Sequence, residues 1–306
     1  MVVQSTGIGA LPNEILISIL STFPTLSLLP LTLTSHRFHS LIARILYHRL
    51  VETAQLKERT LLLECYHPTT KLSTPSLNCE YLGTNVLESL GTCSEEDVYT
   101  DLEDSKTGQL GKLASLYSHF RPLKPEAERR TIRRHPAGGS FIMAANDLVD
   151  EHEELVCQNV HLEAEELFSQ LCTVTNVVKP GPRGFLLGCV NISEGITRVW
   201  RHWLAEQAKL NAEDASGSGS IDVGRGDRLL WADNNKTVGL RMRVIERDDG
   251  TAPVLRSTDE DEAVSYTLQY EELVIRTGQL LLMVEQSIDQ EVSHSGKAIV
   301  IGSWEE

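Results

Sequence analysis

The chain has 306 residues, 41% of them apolar and 23% charged, the balance of a soluble globular protein with room for one large or two modest domains. Its formal net charge of −15 is uneven, with +2 on residues 1–60 and −17 on the remainder. An acidic body argues against non-specific nucleic-acid binding and against an anionic membrane surface, and no apolar run is long enough to span a bilayer.

Residues 1–10 read as a flexible lead-in, and MVVQSTGIGALP lacks the basic stretch and apolar core of a secretory signal. Three short apolar-periodic segments follow in residues 11–50. Pro12 suits the first turn of a helix, where its missing N–H costs nothing, and Ile15, Leu16, Ile19 and Leu20 then share one helical face. Thr22, Phe23 and Pro24 end that helix. Ser27 is the expected N-cap of a second one at 28–33, with Pro30 tolerated in its first turn. Ser35 caps a third, with Phe38, Leu41, Ile42, Ile45 and Leu46 on one side and His36, Arg37, His39, Arg44 and Arg49 on the other. It can run on towards Glu58.

The LP-x-E-I-L-x-x-I-L opening (Leu11, Pro12, Glu14, Ile15, Leu16, Ile19, Leu20), followed by S-x-R-F-x-x-L (Ser35, Arg37, Phe38, Leu41), resembles an F-box of the fungal type. Pro30 departs from it, standing where that family has a basic or polar helical residue. The resemblance implies a substrate-receptor subunit of an SCF (cullin-RING) ubiquitin ligase. Its helices would dock on a Skp-type adaptor while a second domain captures a target. The adaptor contacts so implied are Leu11, Pro12, Ile15, Leu16, Ile19, Leu20, Leu28, Leu31, Phe38 and Leu41, some of which must instead hold the helices to each other. Three short helices carry more apolar residues than they can hide by themselves, so the surplus covers either the rest of the chain or a partner.

From Arg59 the pattern changes. Residues 60–66 are apolar on both faces and read as a buried strand, and 77–82 as a second. Residues 93–108 are an acidic exposed loop; 110–120 turn apolar again; the arginines at 129, 130, 133 and 134 sit in an exposed connection closed by a turn at 136–140. Residues 155–162 fit a strand. Residues 163–178 are ambiguous, helical by Leu167, Phe168 and Leu171 and β-branched from Thr173 on. A turn at 180–184 leads to a strand at 185–192, and 196–204 fits either a helix or a strand. Residues 212–226 are a low-complexity loop. Strands follow with Val238, Leu240, Met242 and Val244 on one face, and with Val264, Tyr266, Leu268 and Tyr270 on the next. An acidic loop at 248–262 separates them. Thr277-Gly278 turns into a further strand at 279–285, and 297–304 closes the chain. The expected fold is α+β: an F-box helical domain at 8–55, then a β-rich recognition domain at 59–306, mainly antiparallel and sandwich-like, with long acidic loops.

Candidates for chemistry are sparse. The six cysteines (65, 79, 93, 157, 172 and 189) stand singly with no C-x-x-C, which fits free, mostly buried thiols in a reducing compartment. The sequons at Asn191 and Asn235, and the RGD at 225–227, then carry no meaning. Cys157 and His161 are spaced like metal ligands on a helix, but they lie in a strand pattern with no second pair. Cys172 and Cys189 have no nucleophile motif around them, and Glu165 and Glu166 read as a solvated face. No P-loop, G-x-S-x-G, H-E-x-x-H or dinucleotide fingerprint occurs. Trp200, Trp203, Trp231 and Trp304 fall in the C-terminal half, as in F-box proteins that bear a lectin-like sandwich, so a glycan or glycoprotein target stands beside a protein one. The reading is therefore a non-enzymatic adaptor, cytoplasmic or nuclear, with no cofactor, metal, nucleic acid or membrane partner. The alternative is a β-rich lectin-like protein or enzyme whose N-terminal helices are only a packing cap.

Overall fold

A computed structural model describes residues 7–86, 109–125, 155–182, 185–215, 229–247 and 263–293. The acidic loops, the arginine cluster, the 136–140 turn, Cys93, Trp304 and the segment at 297–304 lie outside them. The first helices are α1 (Asn13–Leu20), α2 (Thr25–Leu28) and α3 (His36–Ala54), with a 3-10 stretch at Leu29–Leu33 before α3. Ser35 caps α3 by accepting the Phe38 N–H at 3.2 Å. Ser27 caps nothing. α2 begins two residues before it, and the Thr25 N–H donates to Glu285 Oε2 at 3.0 Å, so its first turn is satisfied by a carboxylate 260 residues away. α3 stops at Ala54. Two residues on, Leu56 takes a left-handed φ of 45°, a conformation glycine usually fills after a helix. Its side chain packs against the strand domain, which gives a reason for leucine there.

The strands are β1 (Thr60–Tyr66), β2 (Leu77–Val86), β3 (Leu116–Pro122), β4 (Val156–Leu162), β5 (Phe168–Pro180), β6 (Leu186–Trp200), β7 (Leu229–Trp231), β8 (Val238–Arg247) and β9 (Val264–Arg276). Helix α4 (Gln109–Ala114) precedes β3, α5 (Arg201–Ala215) follows β6, and α6 (Thr277–Ser293) follows β9. Every pairing is antiparallel, in the order β6-β5-β1-β2-β3-β9-β8-β7. β4 joins the same edge of β9 as β3, taking residues 264–270 where β3 takes 273–276.

The class is α+β and antiparallel, and the strands lie in one curled sheet that nearly closes into a barrel. Bulges at Tyr81/Gly83, Thr175/Asn176 and Arg241/Met242 bend and twist it. Its two end strands meet where Thr197 Oγ1 donates to the Trp231 carbonyl at 3.3 Å. Gly195 permits this approach, because a Cβ there would collide with the carbonyl oxygen of Ala232. Inside lie Leu61, Leu63, Phe120, Val177, Leu240, Met242, Leu268 and Tyr270.

Two ambiguous segments resolve, and one expected strand is corrected. The β-branched half of 163–178 prevails, and β5 runs from Phe168. At 196–204 both periods hold in succession, strand to Trp200 and helix from Arg201. Residues 279–285 are helical rather than a strand: Gln, Leu and Met favour helix, and Leu280, Leu281 and Val284 fall at i, i+1, i+4. The two long helices close opposite ends of the barrel. Leu204 and Ala208 of α5 enter its core near the end of β8, where Asn211 Nδ2 donates to the Val244 carbonyl at 2.8 Å. Leu280 of α6 enters at the end of β9, and Ser287 lies against Gly188 at the start of β6.

Candidate protein-docking face

The N-terminal helices have two faces. Leu16, Leu20, Leu28 and Leu41 are buried with Ile42, Ile45, Leu46 and Leu50 in a core that Leu113 of α4, Leu116 of β3 and Leu281 of α6 complete. The inner face therefore packs on the strand domain. The outer face does not: Ile15 is 49% and Ile19 40% exposed, one turn apart on α1. Pro12 is also exposed, and Leu11, Leu31 and Phe38 are half-buried. Of the ten residues assigned to adaptor contact, four are thus internal packing and six reach solvent.

Further apolar residues stand outward that the sequence reading left out. Ile8, Phe23, Leu26, Leu29 and Leu33 are all exposed, Leu33 to 90%. Residues 26, 29 and 33 are spaced as a helical stripe of their own, opposite Leu28. That signal was present but was overshadowed by the stripe that forms the core. Of the large apolar residues exposed on the described chain, 7 fall between Ile8 and Leu33, so uncovered apolar surface concentrates there.

Polar contacts hold this face in place. Arg49 donates from Nη2 to the carbonyls of Ser21 (2.9 Å) and Phe23 (2.7 Å), and from Nη1 to Thr25 Oγ1 (3.0 Å) and Glu285 Oε1 (3.1 Å). The Thr25 hydroxyl donates to the same Glu285 oxygen at 2.7 Å. One guanidinium thereby fixes the α1–α2 turn to α3, and one carboxylate of α6 fixes both to the strand domain. Arg37 pins the start of α1, donating to Asn13 Oδ1 at 2.8 Å and to the Leu11 carbonyl. Beyond α3, Arg59 and Lys179 both reach Glu291 of α6 at 2.6 Å.

The other candidates do not converge. Cys157 and His161 lie on β4, where His161 Nδ1 is 2.8 Å from Ser265 Oγ, and among the described residues no cluster of His, Cys, Asp or Glu is placed to hold a metal. Cys172 is buried, whereas Cys189 is exposed and pairs with Val178, six residues along β5. Glu166 accepts the Glu163 N–H in the turn before β5. Trp203 packs on the barrel core, Trp231 lies 5.7 Å from the Tyr117 ring, and Trp200 lies 5.1 Å from Phe168 on the outside. Among the described residues no helix is long and apolar enough to cross a membrane.

A family model, F-box-like, matches residues 8–53, the span of α1 to α3. No curated protein and no solved structure matches the chain. The two motifs at Leu11–Leu20 and Ser35–Leu41, the three-helix arrangement that they form and this match agree: the chain is an F-box domain protein, with its F-box-like domain at residues 8–53.

Proposed function

We propose that this protein is a substrate-recognition subunit of an SCF-type ubiquitin ligase. It docks on a Skp-type adaptor through the outer face of α1 and α2 and presents a target protein on its strand domain. One observation carries the reading: Ile15 and Ile19 remain exposed although their neighbours Leu16 and Leu20 are buried against the chain's own core. Had all four been covered, the helices would be a packing cap. Exposed aliphatic side chains at i, i+4 are what a helical partner's groove takes, each contributing roughly 1.5–3 kcal/mol when fully buried. In this role the chain supplies binding and position, with ubiquitin transfer left to other subunits, and it works in the cytoplasm or nucleus.

The test is titration of the purified chain with a Skp-type adaptor. The intact protein should bind, and Ile15→Asp with Ile19→Asp should abolish binding while leaving the fold unchanged. Absence of binding by the intact chain overturns the proposal. Leu16→Asp is unsuitable as a probe, because it puts a charge into the core and unfolds the unit under test.

A further inference from the structure

The sheet has a seam beside β4. That strand pairs with β9 along its whole length, from Val156 with Tyr270 to Leu162 with Val264, with no shift of register. On its other side, among the described residues, no strand pairs with it and no backbone hydrogen bond reaches it. In an antiparallel pair alternate residues turn their N–H and C=O groups away from the partner, so β4 presents a row of such groups there. Across the seam the start of β5 is bare too. β1 ends where Tyr66 meets Cys172, and among the described residues 168–171 pair with β6 alone. Two cavities follow the seam, both lined by His67, Gln158 and Asn159. One of about 350 Å³, within the size range of ligand clefts, lies between Val156 and the turn after β1. One of about 70 Å³ lies between residues 158–161 and 169–171.

Sheet edges are commonly blunted by lysine, proline or a bulge. β4, with the sequence VCQNVHL, has none of these. Its polar side chains bond back to β9 rather than across the seam. Gln158 Oε1 accepts from the Tyr270 hydroxyl, Asn159 Oδ1 accepts from Thr267 Oγ1 at 3.0 Å, and His161 Nδ1 lies 2.8 Å from Ser265 Oγ. The backbone edge is thereby left clear. The two side-chain rows beside it differ. Val156 packs inward on the core that holds Cys65, Leu77 and Tyr270, whereas Cys157, Asn159 and His161 are exposed on the outer side.

We propose that the free edge of β4 binds an extended protein segment as an added strand, apolar at alternate positions. Its main chain pairs with the bare groups of β4. Its apolar side chains turn in towards Cys65, Leu77, Val156 and Tyr270, and its polar ones turn out beside Cys157, Asn159 and His161. A single segment fits where a second copy of this chain does not. The turn after β1, with Pro75 and Leu77, and β5 at 169–171 stand opposite the edge around the same cavities. A docked sheet would bring another strand about 4.8 Å behind its own edge, into the place that those residues hold. That the segment belongs to a captured target rests on the adaptor reading above; strand addition itself does not.

The full chain, without adaptor, is titrated with acetyl-Ser-Val-Thr-Val-Thr-Val-Ser-amide and with the same peptide bearing Pro for its central Val, which removes an N–H and breaks the strand. NMR follows backbone amide exchange at residues 156–162. The Val peptide should bind saturably and slow exchange at alternate residues of β4 by about tenfold or more, the scale of one net hydrogen bond, while the amides already bonded to β9 stay unchanged. The Pro peptide should bind about tenfold more weakly or worse. No binding, binding with β4 exchange unchanged, or equal binding of the Pro peptide overturns the site. Protection of β4 that rises with chain concentration in the absence of peptide assigns the edge to a second copy and overturns the single-segment occupant. Ile15→Asp with Ile19→Asp, which removes adaptor docking, should leave peptide affinity as it is, so failure of docking and failure of strand addition are read separately.

Discussion

Neighbouring residues on one helix turn have opposite duties here. Leu16 is 1% exposed, and Leu16→Ala opens a hole that the surrounding leucines fill only partly, costing roughly 2–5 kcal/mol. Ile15→Ala removes side chain already in water and should stay within about 0.5 kcal/mol. Paired urea denaturations measure this contrast, and equal losses would mean that the outer face is covered. A second residue-scale effect concerns Cys65 and Cys79. Burial pushes the Cys65 thiol up to about 12, with its hydrogen bonds from Tyr270 and Thr173 opposing, and burial also raises Cys79. In the unfolded chain such thiols ionise near their ordinary value of 9.0. Above that value the unfolded state has shed protons that the folded state keeps, so the stability from these thiols, complete below 9, declines as pH rises towards 12. The urea midpoint should fall between pH 8.5 and 10.5, and Cys65→Ala should flatten that fall.

Elements were legible where neighbours in sequence decide them and obscure where distant groups do. The helix capped by Ser35 and the strands at 156–162 and 238–244 follow from local period, because each has one clearly apolar face, and the strand at 60–66 follows from a short apolar run on both faces. The start of α2 does not: its first N–H is satisfied by Glu285, which no local pattern around Ser27 can report. The i, i+4 rule found Ile15, Leu16, Ile19 and Leu20 together but could not divide them, since which side meets the core depends on Leu113, Leu116 and Leu281 arriving from elsewhere. The curl of the sheet was likewise hidden. It depends on bulges and on the approach of Gly195 to Ala232, neither of which alters a period-two pattern. The Arg49–Glu285 clasp gives this scale its prediction. Both side chains are largely shielded, and Glu285→Ala strands the Arg49 charge and the Thr25 N–H, at about 1–3 kcal/mol. Hydrogen exchange should show α2 and the α1–α2 turn loosened while β8 and β9 keep their protection. Unchanged exchange in α2 would show the clasp to be incidental.

At the scale of the whole molecule, α6 makes the two parts one body. Leu280 lies in the barrel core and Leu281 in the helical core, while Glu285 and Glu291 reach out to α3, to the segment before β1 and to β5. A flexible tether would let the strand domain wander relative to whatever the F-box holds; this helix fixes the direction from docking face to barrel. In the proposed role that is useful, because a bound target is then held at a set place relative to the adaptor. The same packing sets the cost of separation. A chain beginning at Leu56 would expose Leu113, Leu116 and Leu281, each under 5% accessible in the intact protein, as a contiguous apolar scar. Such a fragment should bind a hydrophobic dye and self-associate, whereas the intact chain should unfold in a single transition whether followed by adaptor binding or by tryptophan fluorescence of the strand domain. Two separated transitions, or a soluble monomeric fragment with an unaltered barrel, would show that the helices sit on the barrel without being part of its stability.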